Sequence, residues 1–336
     1  MRVRHCRSPG SPLSSTPFLC YDAPAFNAGA FAFGLPTFMQ YVLKFLTRLP
    51  LPVLYALGRF AYVVAYHVMR WHRELAARNL ANAFPEKSEA ERAALLKQSY
   101  VNLGETLAET FWGFGASAEA LAQRVAIENP EVIRKYITAK VPVVVLAAHV
   151  CNWEWLLPGT AAQFGIPIDA VYKPLRVASL DAFIRDTRSR FGGKPIPIQS
   201  FLFELMRRAG EARAYAMVAD QTPPRNMDKY WTRFLNQDTA FFTGADKIAR
   251  FLDAPVIYIA MRRVSKGHYS VRVHVLVEPP YEYGDDLQVV ERYARRLELE
   301  VRANPADWLW VHNKWKYPKP DANDGEPKRR RAKQAV

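Results

Sequence analysis

Cysteine is scarce in this chain of 336 residues: Cys6, Cys20 and Cys151 are odd in number and widely spaced. Such spacing excludes a disulfide framework and a clustered thiolate metal site, and suits a reducing compartment. Acidic residues are also short, 32 against 46 Lys and Arg, so the formal charge is +14. That excess excludes no single partner, because nucleic acid, anionic lipid headgroups and acidic carrier proteins answer the same positive field. Familiar catalytic signatures are missing. The sequence has no Walker loop, no G-x-G-x-x-G after a strand and no G-x-S-x-G elbow, since Gly115-Ala116-Ser117-Ala118 lacks the closing glycine. The histidines form no helical pair around a carboxylate, which removes the common zinc hydrolases. Nothing in the pattern calls for a metal or an organic cofactor.

Half of the residues are hydrophobic and 13% aromatic. That composition excludes a mainly disordered chain and allows a sizeable core in one or two domains. Residues 1–38 read apart from the rest. Arg2, Arg4 and Arg7 precede a Pro-, Ser- and Phe-rich stretch with no helical period, and Ser8, Pro9, Gly10 and Ser11 interrupt any signal-like apolar run. The segment is expected to be a poorly ordered leader, with Met39 as an alternative start. Residues 39–75 form the next region. Within it Leu51 to Val68 is mostly apolar and carries one formal charge, Arg59, with Lys44 and Arg48 before and Arg70 and Arg73 after. Eighteen such residues fit an anchor helix that spans a bilayer or lies on it. The alternative, a helix buried in a soluble core, requires a partner for Arg59.

Residues 76–317 hold the main domain. Leu95, Leu96, Tyr100, Leu103, Leu107 and Phe111 recur at helical spacing between Glu86 and Gly115, and a second helix is expected near Ser117. The run Val141–Ala148 then reads as a strand buried on both faces. Further strand-like runs at Ile168–Tyr172, Tyr215–Ala219 and Val256–Met261 alternate with helical stretches at Ser179–Phe191, Phe201–Ala209 and Gly244–Leu252. This alternation predicts an α/β fold, a mostly parallel sheet flanked by helices. His268–Val277 alternates apolar and polar residues and is expected to be an antiparallel edge strand. A last helix is expected from about Asp286 to Arg302, and residues 318–336 form a basic tail containing Lys328–Lys333.

The chemistry concentrates after the first buried strand, in His149-Val150-Cys151-Asn152-Trp153-Glu154. In parallel sheets, sites form at the carboxyl ends of strands, where a histidine is placed to act as a general base. On one straight helix positions i and i+5 diverge by about 140°. A strand, a turn and a helix start between them would bring Glu154 back to the imidazole, where it would fix the tautomer. A structural reading competes, in which His149 caps backbone groups. Cys151, Trp153 and Trp155 read as packing or wall residues. Asp181, Arg185 and Arg188 fall at helical spacing, so surface ion pairs are one reading of Arg188 and phosphate or donor binding is the other. Asp220 follows a buried run and reads either as a turn or cap former or as a carboxylate holding Arg188 or His149.

The chain resembles the bacterial lipid A biosynthesis acyltransferases, the late lauroyl and myristoyl transferases within the lysophospholipid acyltransferase-like group. The likeness runs from Met39 to Tyr317. It covers the apolar N-terminal helix, Asn79-Leu80 to Phe84-Pro85, Asn102-Leu103-Gly104 to Glu109, the H-x4-[D/E] box at His149 and Glu154, Val171–Gly192, Met217–Pro223 and Trp308–Lys316. Asn313 and Lys314 stand where the family usually has two arginines.

The resemblance implies a glycerophosphate acyltransferase-like fold and transfer of a fatty acyl chain from acyl carrier protein to a hydroxyl of a phosphorylated lipid A precursor. It implies His149 as general base with Glu154 orienting it, and Arg188 or Arg190, Lys173 and Asp220 as substrate-binding residues. It also implies membrane lipid as a partner rather than nucleic acid, and a place at the cytoplasmic face of a bacterial inner membrane. Other glycolipid or lysophospholipid acceptors are an alternative, and a non-catalytic membrane-surface binder is a second. Acyl chain length and the acylated hydroxyl do not follow from the sequence.

Overall fold

The computed structural model describes residues 41–281 and 287–320. The expected leader and most of the basic tail, including Lys328–Lys333, lie outside the described residues, as does Asp286. The first helix, α1, is Leu51–Val63, continued by a wider π turn over Val64–Val68. Only Leu54, Gly58 and Tyr62 of α1 are buried, a stripe four residues apart, whereas Val53, Leu57 and Phe60 face out. Arg59 is exposed as well. The alternative of a helix buried in a soluble core does not describe Leu51–Val68, most of whose residues are not buried, and the segment is long and apolar enough to cross a membrane.

Next come α2, Arg73–Ala83, and α3, Glu89–Gly115. Helix α3 begins three residues later than expected, because Ser88 and Glu91 form a reciprocal capping box. Helices α1 and α3 touch backbone to backbone at Gly58 and Gly104; a Cβ on Gly58 would stand 2.2 Å from the Gly104 carbonyl oxygen. Only paired glycines permit that approach.

The remaining elements are α4 Ala118–Ala122, β1 Val125–Ile127, α5 Glu131–Thr138, β2 Val143–Ala147, α6 Trp153–Phe164, β3 Ile168–Tyr172, α7 Ala178–Arg188, β4 Gly193–Pro197, α8 Phe201–Arg207, β5 Ala214–Val218, β6 Lys229–Phe234, β7 Gln237–Phe242, α9 Gly244–Leu252, β8 Val256–Ser265, β9 His268–Val277 and α10 Gln288–Ala303. Seven strands form one sheet in the order β1-β9-β8-β2-β5-β3-β4. From β8 to β4 all neighbours are parallel, and β9 runs antiparallel to β8. The fold is thus α/β with a mostly parallel sheet between helices. Strand β9 is not the edge, because the three-residue β1 pairs beyond it. A strand that short carries no readable period. Strands β6 and β7 make a separate hairpin through Leu235 and Asn236, both at positive φ as such a turn requires. On α10, Val290, Ala294, Leu297 and Val301 form the buried stripe that closes one face of the sheet.

Candidate active site

Strand β2 ends at Ala147 and delivers His149 two residues on. Cys151, in the left-handed region at φ 52°, turns the chain, and Asn152 caps α6 by accepting the Trp155 N–H. His149 therefore sits at a strand exit and Glu154 in the first turn of a helix. Strand β5 lies beside β2 in parallel, with Ala147 opposite Val218. Two residues beyond that pair stand His149 and Asp220, so sheet register alone brings them together.

Their contact is double. The His149 backbone N–H donates to Asp220 Oδ2 at 3.1 Å, and Nδ1 meets Oδ1 at 2.6 Å. An ionised carboxylate only accepts, so Nδ1 carries the proton and Nε2 is the basic nitrogen. Trp308 Nε1 donates to Asp220 Oδ2 at 2.9 Å. The imidazole keeps 17% of its surface exposed, while Asp220 keeps 3%. Burial acts to lower the His149 pKa, but the charge and hydrogen bond of Asp220 outweigh it and the net shift is upward. Burial likewise acts to raise Asp220, yet His149 and the Trp308 indole hold it down to about 2.

Glu154 does not take the expected place on the imidazole. Its carboxylate grips Arg188 at the end of α7, with Nη2 to Oε1 at 2.7 Å and Nε to Oε2 at 3.2 Å, and Trp153 Nε1 donates to it at 3.2 Å. The reason is positional: from the first turn of α6 the side chain reaches α7, while Asp220, just past β5, already occupies the Nδ1 side of His149. Glu154 still acts on His149 through its charge, raising the pKa, and Arg188 opposes it. Arg188 makes no ion pair within α7. Asp181 instead accepts from the Leu175 N–H at 2.8 Å and from the Tyr172 hydroxyl at 3.3 Å. The remaining guanidinium nitrogen of Arg188, Nη1, makes no hydrogen bond among the described residues.

The two other expected substrate contacts, Arg190 and Lys173, make no hydrogen bond to His149, Asp220 or Arg188 among the described residues. Arg190 donates to the carbonyls of Phe114 and Ala116, both at 2.6 Å, and closes the end of α3. Its charge is fixed there by the free carbonyls of a helix terminus. Lys173 is exposed just past β3. Cys151 is buried with its thiol on the Met261 carbonyl, and burial pushes that thiol well above its ordinary value, which suits packing rather than nucleophilic chemistry. Trp155 is buried, and Trp153 stands edge-on to His149 with ring centroids 5.1 Å apart.

Several site residues escaped the sequence reading. The segment Trp308–Lys314 braces the loop that carries Asp220. Beyond Trp308, the imidazole of His312 accepts the Thr222 N–H at 3.1 Å, and the buried Lys314 donates to the carbonyls of Gln221 and Ala240 at 3.2 and 2.9 Å. Burial presses Lys314 down to about 7 and His312 down to about 4. Behind α6, the fully buried Glu109 accepts from Asn152 Nδ2 at 2.9 Å, from the Tyr55 hydroxyl at 2.9 Å and from Tyr269. It thereby fixes the amide that caps the site helix. Among the described residues, no three His, Cys, Asp or Glu side chains gather as metal ligands.

A family model for bacterial lipid A biosynthesis acyltransferase matches residues 34–317. The lipid A biosynthesis lauroyltransferase of Escherichia coli K12 is 25% identical over 285 residues, 82% of this chain and 89% of that protein. The palmitoleoyltransferase of the same organism is 23% identical, with the same shares covered, and its myristoyltransferase is 24% identical over 80% and 81%. The chain therefore belongs to the bacterial lipid A biosynthesis acyltransferases, enzymes that transfer acyl groups.

Proposed function

We propose that this chain moves a fatty acyl group from acyl carrier protein to a hydroxyl of a phosphorylated lipid A precursor, with His149 as the general base. The observation that carries this reading is the short contact of Nδ1 with the buried Asp220, which leaves Nε2 as the basic nitrogen, with the Gln221 side-chain amide 3.4 Å away. Nε2 takes the acceptor hydroxyl proton as that oxygen attacks the thioester carbonyl. The tetrahedral intermediate then collapses, the carbon–sulfur bond breaks, and the departing thiolate recovers the proton from imidazolium. No covalent enzyme intermediate is formed.

Asp220 holds the tautomer and stabilises imidazolium. Glu154 presents Arg188, whose free Nη1 is available to the oxyanion or to a phosphate of the acceptor. Helix α1 is the membrane anchor, and the active end of the sheet faces the cytoplasm, where the carrier protein is found. Transfer from acyl carrier protein to the lipid precursor, followed by mass spectrometry, tests the reading. Loss of product in His149→Ala with the fold retained is expected, and near-normal turnover in that variant refutes it. The same assay with other glycolipid or lysophospholipid acceptors tests the choice of acceptor.

A further inference from the structure

Helix α8 carries apolar side chains that the protein leaves uncovered. Leu202, Phe203 and Met206 are 65%, 69% and 63% exposed, while Phe201 and Leu205 on the other face pack against Ile196 and Tyr215. Leu175 and Val177, which follow β3, and Ile198, which follows β4, are exposed as well. These two strands are neighbours, and the Ile198 N–H donates to the Tyr172 carbonyl. Exposed apolar side chains gathered on neighbouring segments in this way mark an interaction site more often than chance exposure does.

Its place in the fold is informative. Leu175, Val177, Ile198 and the first turn of α8 follow the carboxyl ends of parallel strands, as His149 and Asp220 do, and α8 runs from there toward the amino end, where Glu204 meets Lys194 and Arg208. On the opposite flank, the Tyr55 ring of α1 covers Lys266 Nζ at 4.1 Å in the turn between β8 and β9. Because β8 is parallel to β2, that turn lies at the same end of the sheet. The order β8-β2-β5-β3-β4 thus sets the site between α1 on one side and α8 on the other.

The charge narrows the occupant. From Lys173 to Arg208 there are eight bases and three acids. Arg188, Arg190 and Arg208 are engaged inside the protein; Lys173, Arg176 and Arg185 are exposed, and Lys194 and Arg207 are exposed while paired with Glu204 at 3.6 and 2.8 Å. An acidic protein would match the bases and leave Leu202, Phe203 and Met206 unexplained. A second copy would meet the same positive charge. An anionic bilayer answers both features.

We propose that α8, with the loops after β3 and β4, is a second bilayer contact that lies on an anionic phospholipid surface. Together with α1 it holds the carboxyl end of the sheet against the membrane, so that a lipid acceptor reaches His149 without leaving the bilayer. This last consequence rests on the proposed function; the contact itself does not.

The test uses the full chain with Cys6→Ser and Cys20→Ser, in which Cys151 is buried. Phe203→Cys carries an environment-sensitive fluorophore, and Ala139→Cys, exposed before β2 at the other end of the sheet, is the control. The protein is reconstituted into vesicles of phosphatidylglycerol and phosphatidylethanolamine with a nitroxide placed high on the acyl chain. A face that sinks about 5–10 Å into the interface brings the probe at position 203 within reach of the nitroxide, and about half or more of its emission is lost. The probe at position 139 keeps its emission. Weaker quenching in pure phosphatidylcholine supports the role of the bases, and equal quenching there overturns it. Emission at position 203 that matches position 139 overturns the contact. So does crosslinking between two 203 positions, or a response at 203 only to added acidic carrier protein. Adding His149→Ala leaves the quenching unchanged, so failure of the transfer chemistry and failure of the contact are read separately.

Discussion

The two ends of the parallel sheet each hold a buried aspartate, and the partners differ. At the amino end, Asp169 of β3 is fully buried between Arg208 and Arg213, at 3.1 and 2.7 Å, with Glu204 against Arg208. Both partners are guanidinium groups, which as a class do not exchange protons in this chemistry, so the cluster is a brace. At the carboxyl end, Asp220 faces an imidazole that keeps part of its surface exposed and whose Nε2 has only the Gln221 side-chain amide beside it, at 3.4 Å. The same residue type, buried to the same degree on the same sheet, becomes part of a proton-transfer device only because its partner can give and take a proton. Buried charge at a sheet end therefore says little until the partner is named.

Breaking the carboxyl end is expected to have the largest effect. His149→Ala should reduce kcat by about 10²–10⁴, the usual worth of a general base, with an unchanged melting transition. Asp220→Asn should fall in the same range, because the amide no longer holds Nδ1 protonated against an anion. Breaking the amino end instead strikes stability. Asp169→Asn leaves two arginines without their shared anion and should cost about 3–5 kcal/mol in denaturant unfolding, while the folded fraction keeps its turnover. A smaller effect is expected from Arg188→Lys, which keeps the charge and loses the two-pronged grip of Glu154. About tenfold lower kcat/KM, equivalent to about 1.4 kcal/mol, is the expected outcome in steady-state transfer.

Much of this arrangement is legible in the sequence, and the failures have physical reasons. The buried runs at Val141–Ala148 and Val256 onward contain strands as read, because burial on both faces leaves an unbroken apolar signal. Strand β4 is missed because Pro195 and Pro197 argue against a strand, and they are tolerated there only since β4 is the last strand of the sheet.

At the site, the H-x4-E box locates His149 and Glu154 but not their partners. Which carboxylate meets the imidazole is settled by the β2–β5 register, and the sequence alone left Asp220 between His149 and Arg188. Trp308 lies 88 residues from Asp220 and no local pattern links them. The capping box at Ser88 and Glu91, in contrast, was readable and would have corrected the start of α3.

The pH dependence of kcat/KM in the parent enzyme and in Asp220→Asn tests the central claim most directly. His149 acts as a base only when unprotonated, and its pKa is raised, so activity should be present above that value and lost as pH falls through it. The parent acid limb should thus lie above the ordinary imidazole value of about 6.5. Asp220→Asn removes the charge that raises it and leaves burial, which lowers it, so the limb should move to lower pH while the plateau drops. An Asp220→Asn enzyme with the parent limb and the parent plateau would contradict the account.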